Sequence, residues 1–320
     1  MKTKLKGRDF ITLRDWSKEE IDTLLDVSFD LKRKFAMDIP TPYLAYKTIF
    51  LMFFEQSTRT RNSMEAGVFQ LGGHANFLDT STMQVSHGEV AKDTGTILSS
   101  FGHGLACRYC DWGIGNKYIN EMAKYSSTPI MNLQCDLYHP MQGITDLMTI
   151  KELKGETKKI KVSIIWAYAE SHKKPISVPL TQALLFTRYS MDVTLAYPKG
   201  LEMPDWVIEE AKLNAIESNG SFKITHDMKE AFTNADVVIP KNWGSWSSKE
   251  ENVDITKFKD WKCTEKMMSL ADKDVIYMHA LPADRGNEVE NSVIDGKASV
   301  VYTEAENRLH TAKAVMALTL

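Results

Sequence analysis

The sequence predicts an α/β protein made of two doubly wound, parallel-sheet domains. Three observations carry this prediction. Short apolar runs alternate with helical patterns almost from end to end, and strands separated by crossover helices call for parallel sheets covered on both faces. The length of 320 residues suits two domains that each bury their own core. A polar, charged linker, KGETKK at 154–159, interrupts the rhythm before it restarts, which places a boundary between 1–153 and the segment from 154 onward.

The elements follow in order. KTIFLMFF (47–54) reads as a strand, and NSMEAGVFQLG (62–72) has helical spacing closed by a glycine pair. GHANFLD is a strand, EVAKDTGTILSSFG a helix and LACRYC a strand. A helix at YINEMAKYSS, a strand at PIMNLQ and a long helix from near His139 to Lys154 complete the first half. In the second half KVSIIWAY, DVTLAYP, SFKITHD, DVVIPK and DVIYMHAL read as strands. The closing segment TEAENRLHTAKAVMALTL (303–320) reads as one amphipathic helix.

Bulk properties narrow the function classes. The net charge of -3, without a long basic block, disfavours a nucleic-acid surface. No run approaches the ~18 apolar residues that span a bilayer, and MKTKLKGRDF lacks the apolar core of a secretion signal. Four cysteines are too few to staple a chain this long, so a reduced, cytoplasmic protein is expected. Cys107 and Cys110 form a C-x-x-C pair. No second pair follows, and GLACRYCDWG reads as a buried strand leading into a turn, so the pair is taken as structural.

The most informative stretch is FFEQSTRTRNSMEAGVFQLGG. A buried strand ends at Phe54, a turn rich in Ser, Thr and Arg follows, and a helix then begins. The N–H groups at such a helix start are unpaired and sit at the positive end of its dipole. Ser57, Thr58 and Thr60 add hydroxyl donors, and Arg59 and Arg61 add forked, permanent positive charge. A capped helix with a solvated basic first turn is the plainer alternative, but arginines there oppose the dipole. The pattern predicts a phosphate cradle. It is not a P-loop, because G-x-x-x-x-G-K-[ST] is missing, and the LGGH glycines fall after a helix rather than before one.

STRTR at 57–61 resembles the carbamoyl phosphate motif of the aspartate and ornithine carbamoyltransferase family. DLYHPMQGITDLMTIKE resembles that family's H-P-x-Q segment, MHALP stands where it commonly has H-C-L-P, and EAENRLHTAKAVMALTL resembles its closing helix. Arg108 lies the family's usual distance after Asp93. The match covers nearly the whole chain. It implies a carbamoyl phosphate-binding domain at 1–153, with 303–320 packed back on it, and an acceptor-binding domain at 154–302.

The resemblance assigns roles residue by residue. Ser57, Thr58, Arg59 and Thr60 would hold the phosphate. Arg108, His139 and Gln142, with Pro140 and Met141, would surround the carbamoyl group. Ala280 and the Leu281 carbonyl would receive its amide, and Arg308 would contact the donor. STMQVSHGE resembles the loop that enters a neighbouring subunit's site, so Gln84, and with it His87, would act in trans within a homotrimer. The implied partners are carbamoyl phosphate and a small amine acceptor. The chemistry requires no cofactor and no metal.

WAYAESHKKPISVPLTQ (166–182), with Pro175 and Pro179, resembles the branch whose second domain carries a trefoil knot, the branch of the N-acetylornithine and N-succinylornithine enzymes. Three departures bear on the acceptor. Ala280 replaces the usual Cys. PKNWGSW replaces the Asp and Ser-Met-Gly stretch of the ornithine enzymes. Lys241 matches a lysine that the N-acylornithine enzymes aim at substrate, yet Asp284 stands where those enzymes carry an arginine. Lys241, Trp243, Asp284 and Asp136 are the acceptor-pocket candidates, each with a plain structural alternative as a surface ion pair or a packed indole.

Overall fold

In a computed structural model, which describes residues 4–170, 174–244 and 253–320, the chain divides into two compact units, 1–148 with 305–320, and 149–304. The first unit contains α1 (Lys18–Ala36), β1 (Thr48–Phe53), α2 (Arg59–Gln70), β2 (His74–Asp79), α3 (Ala91–Phe101), β3 (Gly104–Tyr109), α4 (Gly115–Tyr125) and β4 (Ile130–Cys135). The helix α5 (Pro140–Lys154) runs into the second unit. That unit contains β5 (Lys161–Trp166), α6 (Ser177–Phe186), β6 (Asp192–Ala196), α7 (Asp205–Ser218), β7 (Ser221–Thr225), α8 (Met228–Phe232), β8 (Val237–Lys241), α9 (Glu265–Met268), β9 (Ile276–Tyr277) and α10 (Asn291–Ile294). The last helix, α11 (Val301–Thr319), returns the chain to the first unit. Both junctions thus fall inside helices rather than at the linker.

Both sheets are parallel throughout, with strand orders β2-β1-β3-β4 and β7-β6-β5-β8-β9. All six residues of β4 and all five of β8 are buried, as strands covered on both faces require. Each order reverses once, between β1 and β3 and between β5 and β8. Open α/β sheets bind ligands outside the strand C-termini at such a reversal. The residues paired there are Phe53 with Arg108 in the first sheet and Trp166 with Lys241 in the second.

Three elements depart from the sequence reading. The helix α1 lies where that reading places no element, although Ser17 and Glu20 form a capping box that could have announced it. DVIYMHAL forms only the two-residue strand β9. One further ladder bond follows, from the Met278 N–H to Val238, and then the His279 N–H turns to the buried carboxylate of Glu304 (2.8 Å). A side-chain acceptor thus ends the strand.

The closing helix is not amphipathic, because every residue from Asn307 to Met316 except Leu309 is buried. Its polar positions have protein partners, as in Lys32–Asn307 (2.8 Å), Thr145–Thr311 (2.8 Å) and Lys313–Gln70 (3.1 Å). Polarity along this stretch therefore does not mark a surface.

His310 on α11 packs beside Phe35, with ring centroids 5.5 Å apart. Burial first, and the nearby Lys313 and Lys32 charges next, push its imidazole down to about 4 despite Glu306. The sign for stability follows by linkage. Below its ordinary value near 6.5 the unfolded chain takes up a proton that the folded chain refuses, so stability falls with pH until about 4. A melting-temperature series should be flat above pH 7 and drop by roughly 5 °C or more between pH 6.5 and 4.5. His310→Gln should flatten that drop, and an unchanged acid slope in the variant would count against this assignment.

Candidate active site

The switch point of the first sheet carries the anion-binding features. The chain leaves β1 through Phe54-Glu55-Gln56-Ser57-Thr58 and enters α2 at Arg59. Thr58, at the helix N-cap, has αR backbone and makes no side-chain cap bond. The first N–H groups of α2 therefore lack the usual side-chain acceptor. A cleft of about 690 Å³ opens here, lined among others by Glu55, Gln56, Ser57, Thr58, Arg61 and Asp79.

Arg108 lies close enough for its charge to act on Arg59. Burial, and then repulsion from Arg108, lowers the affinity of Arg59 for its proton. The Arg59 Nε is buried with no hydrogen-bond partner. A half-buried guanidinium repelled by a second one is unfavourable without an anion, and a phosphate could accept from both.

Arg108 is placed by a shift of register between β3 and β4. Cys107 pairs with Asn132, but Arg108 pairs with Gln134. Such irregularities re-aim a side chain at a strand end. Glu55 holds the result, with Oε2 3.6 Å from the Arg108 Nε and Oε1 accepting from the Cys110 N–H (2.6 Å). Burial raises the Glu55 carboxyl above its ordinary value, against the Cys110 N–H and the Arg108 charge. The sequence reading did not single out Glu55, although it directly precedes the cradle.

Thr60 is buried, and its hydroxyl accepts from the buried Arg308 of α11. Thus Thr60 and Arg308 are brought together, with Ser57, Thr58 and Arg59 on the adjoining turn. Arg61 is different. Its Nε lies 3.1 Å from Glu65 and its guanidinium covers the Phe77 ring at 3.4 Å, so its charge is already met within the unit.

His139 and Gln142 come from the start of α5, beyond the strand that pairs with β3. The buried His139 accepts through its carbonyl from the N–H groups of Gln142 and Gly143. Pro140, which needs no such partner, opens the helix. The buried Gln142 amide donates to Asp146 (2.6 Å), and Met141 is buried beside it. Gln84 and His87 lie exposed in a short 3-10 turn, Gln84–His87, with a 3.4 Å contact between them.

Asp136 requires a correction. It is buried, and its two carboxylate oxygens accept from the N–H groups of Gly113 (2.9 Å) and Asn116 (2.7 Å). Its charge is met at the start of α4, where a Cβ on Gly115 would stand 1.8 Å from the Tyr109 carbonyl. Trp243 requires another. The indole is fully buried and donates to the Leu201 carbonyl (3.1 Å), which makes it a packed core residue. Neither geometry supports an acceptor role.

Asp284 accepts from Asn287 (3.2 Å to each oxygen) and from the Glu170 N–H (3.3 Å), so its carboxylate holds its own loop. Lys241 ends β8 at the second switch point, and its charge acts on the buried Glu288. Ala280 is buried, and Leu281 is half-buried with φ of 52°. Residues 171–173 of the knot-like segment, and Ser245 and Trp246 of PKNWGSW, lie outside the described residues.

Cys107 is buried on β3 and Cys110 follows it, both as free thiols raised by burial. Among the described residues no group of three or more His, Cys, Asp or Glu side chains could hold a metal ion. No helix among them is long and apolar enough to cross a membrane.

Two arginines, hydroxyls and an uncapped helix start at the switch point of a doubly wound sheet suit an enzyme class that handles a phosphorylated small molecule. Comparison with known proteins narrows the class. The model of the aspartate/ornithine carbamoyltransferase carbamoyl-P binding domain matches residues 8–152, and that of the family's Asp/Orn binding domain matches 132–319.

The ornithine carbamoyltransferase of Pyrococcus abyssi (strain GE5 / Orsay) is 38% identical over 321 residues, covering 100% of this chain and 98% of that protein. The ornithine carbamoyltransferase of Oceanobacillus iheyensis is also 38% identical, over 98% of this chain and 94% of its own. The solved structure of ornithine carbamoyltransferase from Pyrococcus furiosus superposes with a TM-score of 0.90 at 36% identity, covering 99% and 98% of the two chains. That of an acetylornithine transcarbamylase complexed with acetylcitrulline superposes with a TM-score of 0.89 at 29% identity, over 97% and 98%. The chain belongs to the aspartate/ornithine carbamoyltransferase family and is a carbamoyltransferase.

Proposed function

We propose that the chain transfers the carbamoyl group of carbamoyl phosphate to the amine of a small amino-acid-like acceptor other than free ornithine, with Arg59 and Arg108 holding the phosphate. The observation that carries the donor half is that Arg59 and Arg108, whose charge acts on Arg59, each have a buried Nε without a hydrogen-bond partner, beside an uncapped helix start. Ser57, Thr58 and Thr60 supply hydroxyls, and Arg308 braces Thr60.

In the step itself a neutral amine attacks the carbamoyl carbon, and its lone pair forms the new C–N bond. The developing oxyanion is stabilised by Arg59, Arg108 and His139, an effect often worth ~3–4 kcal/mol per donor. The C–O bond to phosphate then breaks, the electron pair leaves with phosphate, and the phosphate takes the proton that the amine releases. Gln142 and the Leu281 carbonyl orient the carbamoyl amide.

The acceptor reading rests on the absence of the ornithine enzymes' Asp and Ser-Met-Gly stretch and on Ala280 in place of Cys. A second reading, free ornithine as acceptor, is favoured by the names of the 38%-identical relatives that align over the whole chain. Phosphate release from carbamoyl phosphate, screened over ornithine, N-acetylornithine, N-succinylornithine, diamines and ureido compounds, separates them. Turnover with ornithine near ~10⁴ M⁻¹s⁻¹, the low end of ordinary enzymes, would favour the second reading. No release with any amine would overturn carbamoyl transfer altogether.

The active unit in this proposal is a homotrimer in which Gln84 and His87, exposed on their 3-10 turn, complete a neighbour's donor site. Gln84→Ala and Arg59→Ala subunits, each inactive alone, should recover up to about a quarter of wild-type activity when mixed equally and reassembled, as random mixing of shared sites allows. A fully active monomer by light scattering would sink this part of the proposal.

A further inference from the structure

The second unit holds a buried charge cluster that the transfer step above does not use. Glu288 is fully buried. Its Oε1 accepts from the Asn242 N–H (2.8 Å), directly after the end of β8. Its Oε2 accepts from the Asp284 N–H (2.6 Å) and stands 3.2 Å from the Lys174 ammonium and 3.5 Å from the His279 Nε2. Lys241 adds a second ammonium charge acting on the same carboxylate. Burial alone would raise this carboxyl, but His279 and the two lysines outweigh it and keep the group ionised.

The partners tie one loop at several points. The His279 Nδ1 accepts from the Leu281 N–H (2.8 Å), which leaves the proton of a neutral ring on Nε2, facing Glu288. The His279 N–H is held by the buried Glu304. Between these anchors Leu281 adopts φ of 52°, in the left-handed region that side chains other than glycine rarely occupy. Such a conformation persists only where its surroundings over-determine it. Glu288, reaching both ends of the His279–Asp284 stretch, is the group that does so. Through Asn242 it fixes the end of β8, which bears Lys241, to the same point.

We infer that Glu288 is a positioning residue for carbamoyl transfer, a buried anion that holds the loop presenting the Leu281 carbonyl and the Lys241 strand end in one fixed register. The inference rests on the reading of the Leu281 carbonyl as the partner of the carbamoyl amide. A bare structural role would lower stability and every activity together. A positioning role instead separates turnover from phosphate affinity, because the phosphate groups all lie in the first unit.

The test is Glu288→Gln, which keeps the shape and removes the charge. It is assayed with carbamoyl phosphate and the better of L-ornithine and N-acetyl-L-ornithine. The expected result is a fall in kcat of about 30-fold or more, with inhibition by inorganic phosphate within twofold of wild type. Since two lysines facing a neutral amide could prevent folding, the double variant Glu288→Gln with Lys174→Met is made in parallel. It should recover the wild-type melting temperature and still lack kcat. A folded variant of either kind with kcat within threefold of wild type overturns the inference. A wild-type protein that carbamoylates no amine removes the underlying functional reading instead, so the two failures are distinguishable.

Discussion

Arg59→Ala is expected to lower the affinity for carbamoyl phosphate by about 10- to 150-fold without lowering the melting temperature of the unliganded protein. The affinity figure is one lost charge-assisted contact, ~1.5–3 kcal/mol. The stability half follows from the geometry. In the unliganded protein Arg59 is half-buried, feels the charge of Arg108 and has an Nε with no hydrogen-bond partner. It therefore contributes repulsion and desolvation rather than a bond, and its removal relieves both. Calorimetry with carbamoyl phosphate and a thermal melt on the same preparation measure the two halves. Binding within twofold of wild type would remove Arg59 from the donor site. A melt lowered by more than ~4 °C would show that Arg59 holds the fold rather than the ligand.

His139→Asn is expected to lower kcat by about 10²- to 10³-fold, the usual loss when one donor to a developing oxyanion is removed. The backbone there is fixed independently of the ring, since the His139 carbonyl accepts from Gln142 and Gly143 and Pro140 follows. Asparagine keeps those backbone bonds and shortens only the side chain. Inhibition by inorganic phosphate should stay within about twofold, because the proposed phosphate contacts lie on the β1–α2 turn and on β3. Loss of phosphate inhibition in parallel with kcat would mean that His139 organises the cradle instead of acting on the carbamoyl group.

The two variants probe groups of different legibility. The strand, turn and helix start proposed as the anion cradle could be read in the sequence because their signal is local: a buried strand, a turn of Ser, Thr and Arg, and a helix start lie consecutively at 47–72. The fold class was legible for a related reason. Strands buried on both faces, such as IMNLQC of β4 and VVIPK of β8, are short apolar runs whatever they pack against.

The misses share the opposite property. The α1 capping box was present at Ser17–Glu20, but the helix has no place in a strand-helix alternation that starts at β1. The closing helix carries Asn307, Arg308, His310, Thr311 and Lys313, which look solvent-facing in sequence and are buried against partners as distant in the chain as Lys32, Thr60 and Gln70.

The class of the protein is therefore written in local pattern: alternating crossover units, a strand-to-helix turn rich in Ser, Thr and Arg, and the motifs that mark the family. Which charges remain for a ligand depends instead on packing between distant segments. Arg61 and Arg59 are two residues apart in the same turn, yet Arg61 finds Glu65 and Phe77 while Arg59 meets the charge of Arg108. Asp136 and Trp243, open to an acceptor by residue type alone, are occupied by the start of α4 and by the Leu201 carbonyl. Glu288, silent in the sequence, gathers partners from three separate stretches. The reason is physical. A residue's type sets its charge and its donors, but whether these are already satisfied depends on groups that folding brings from far along the chain.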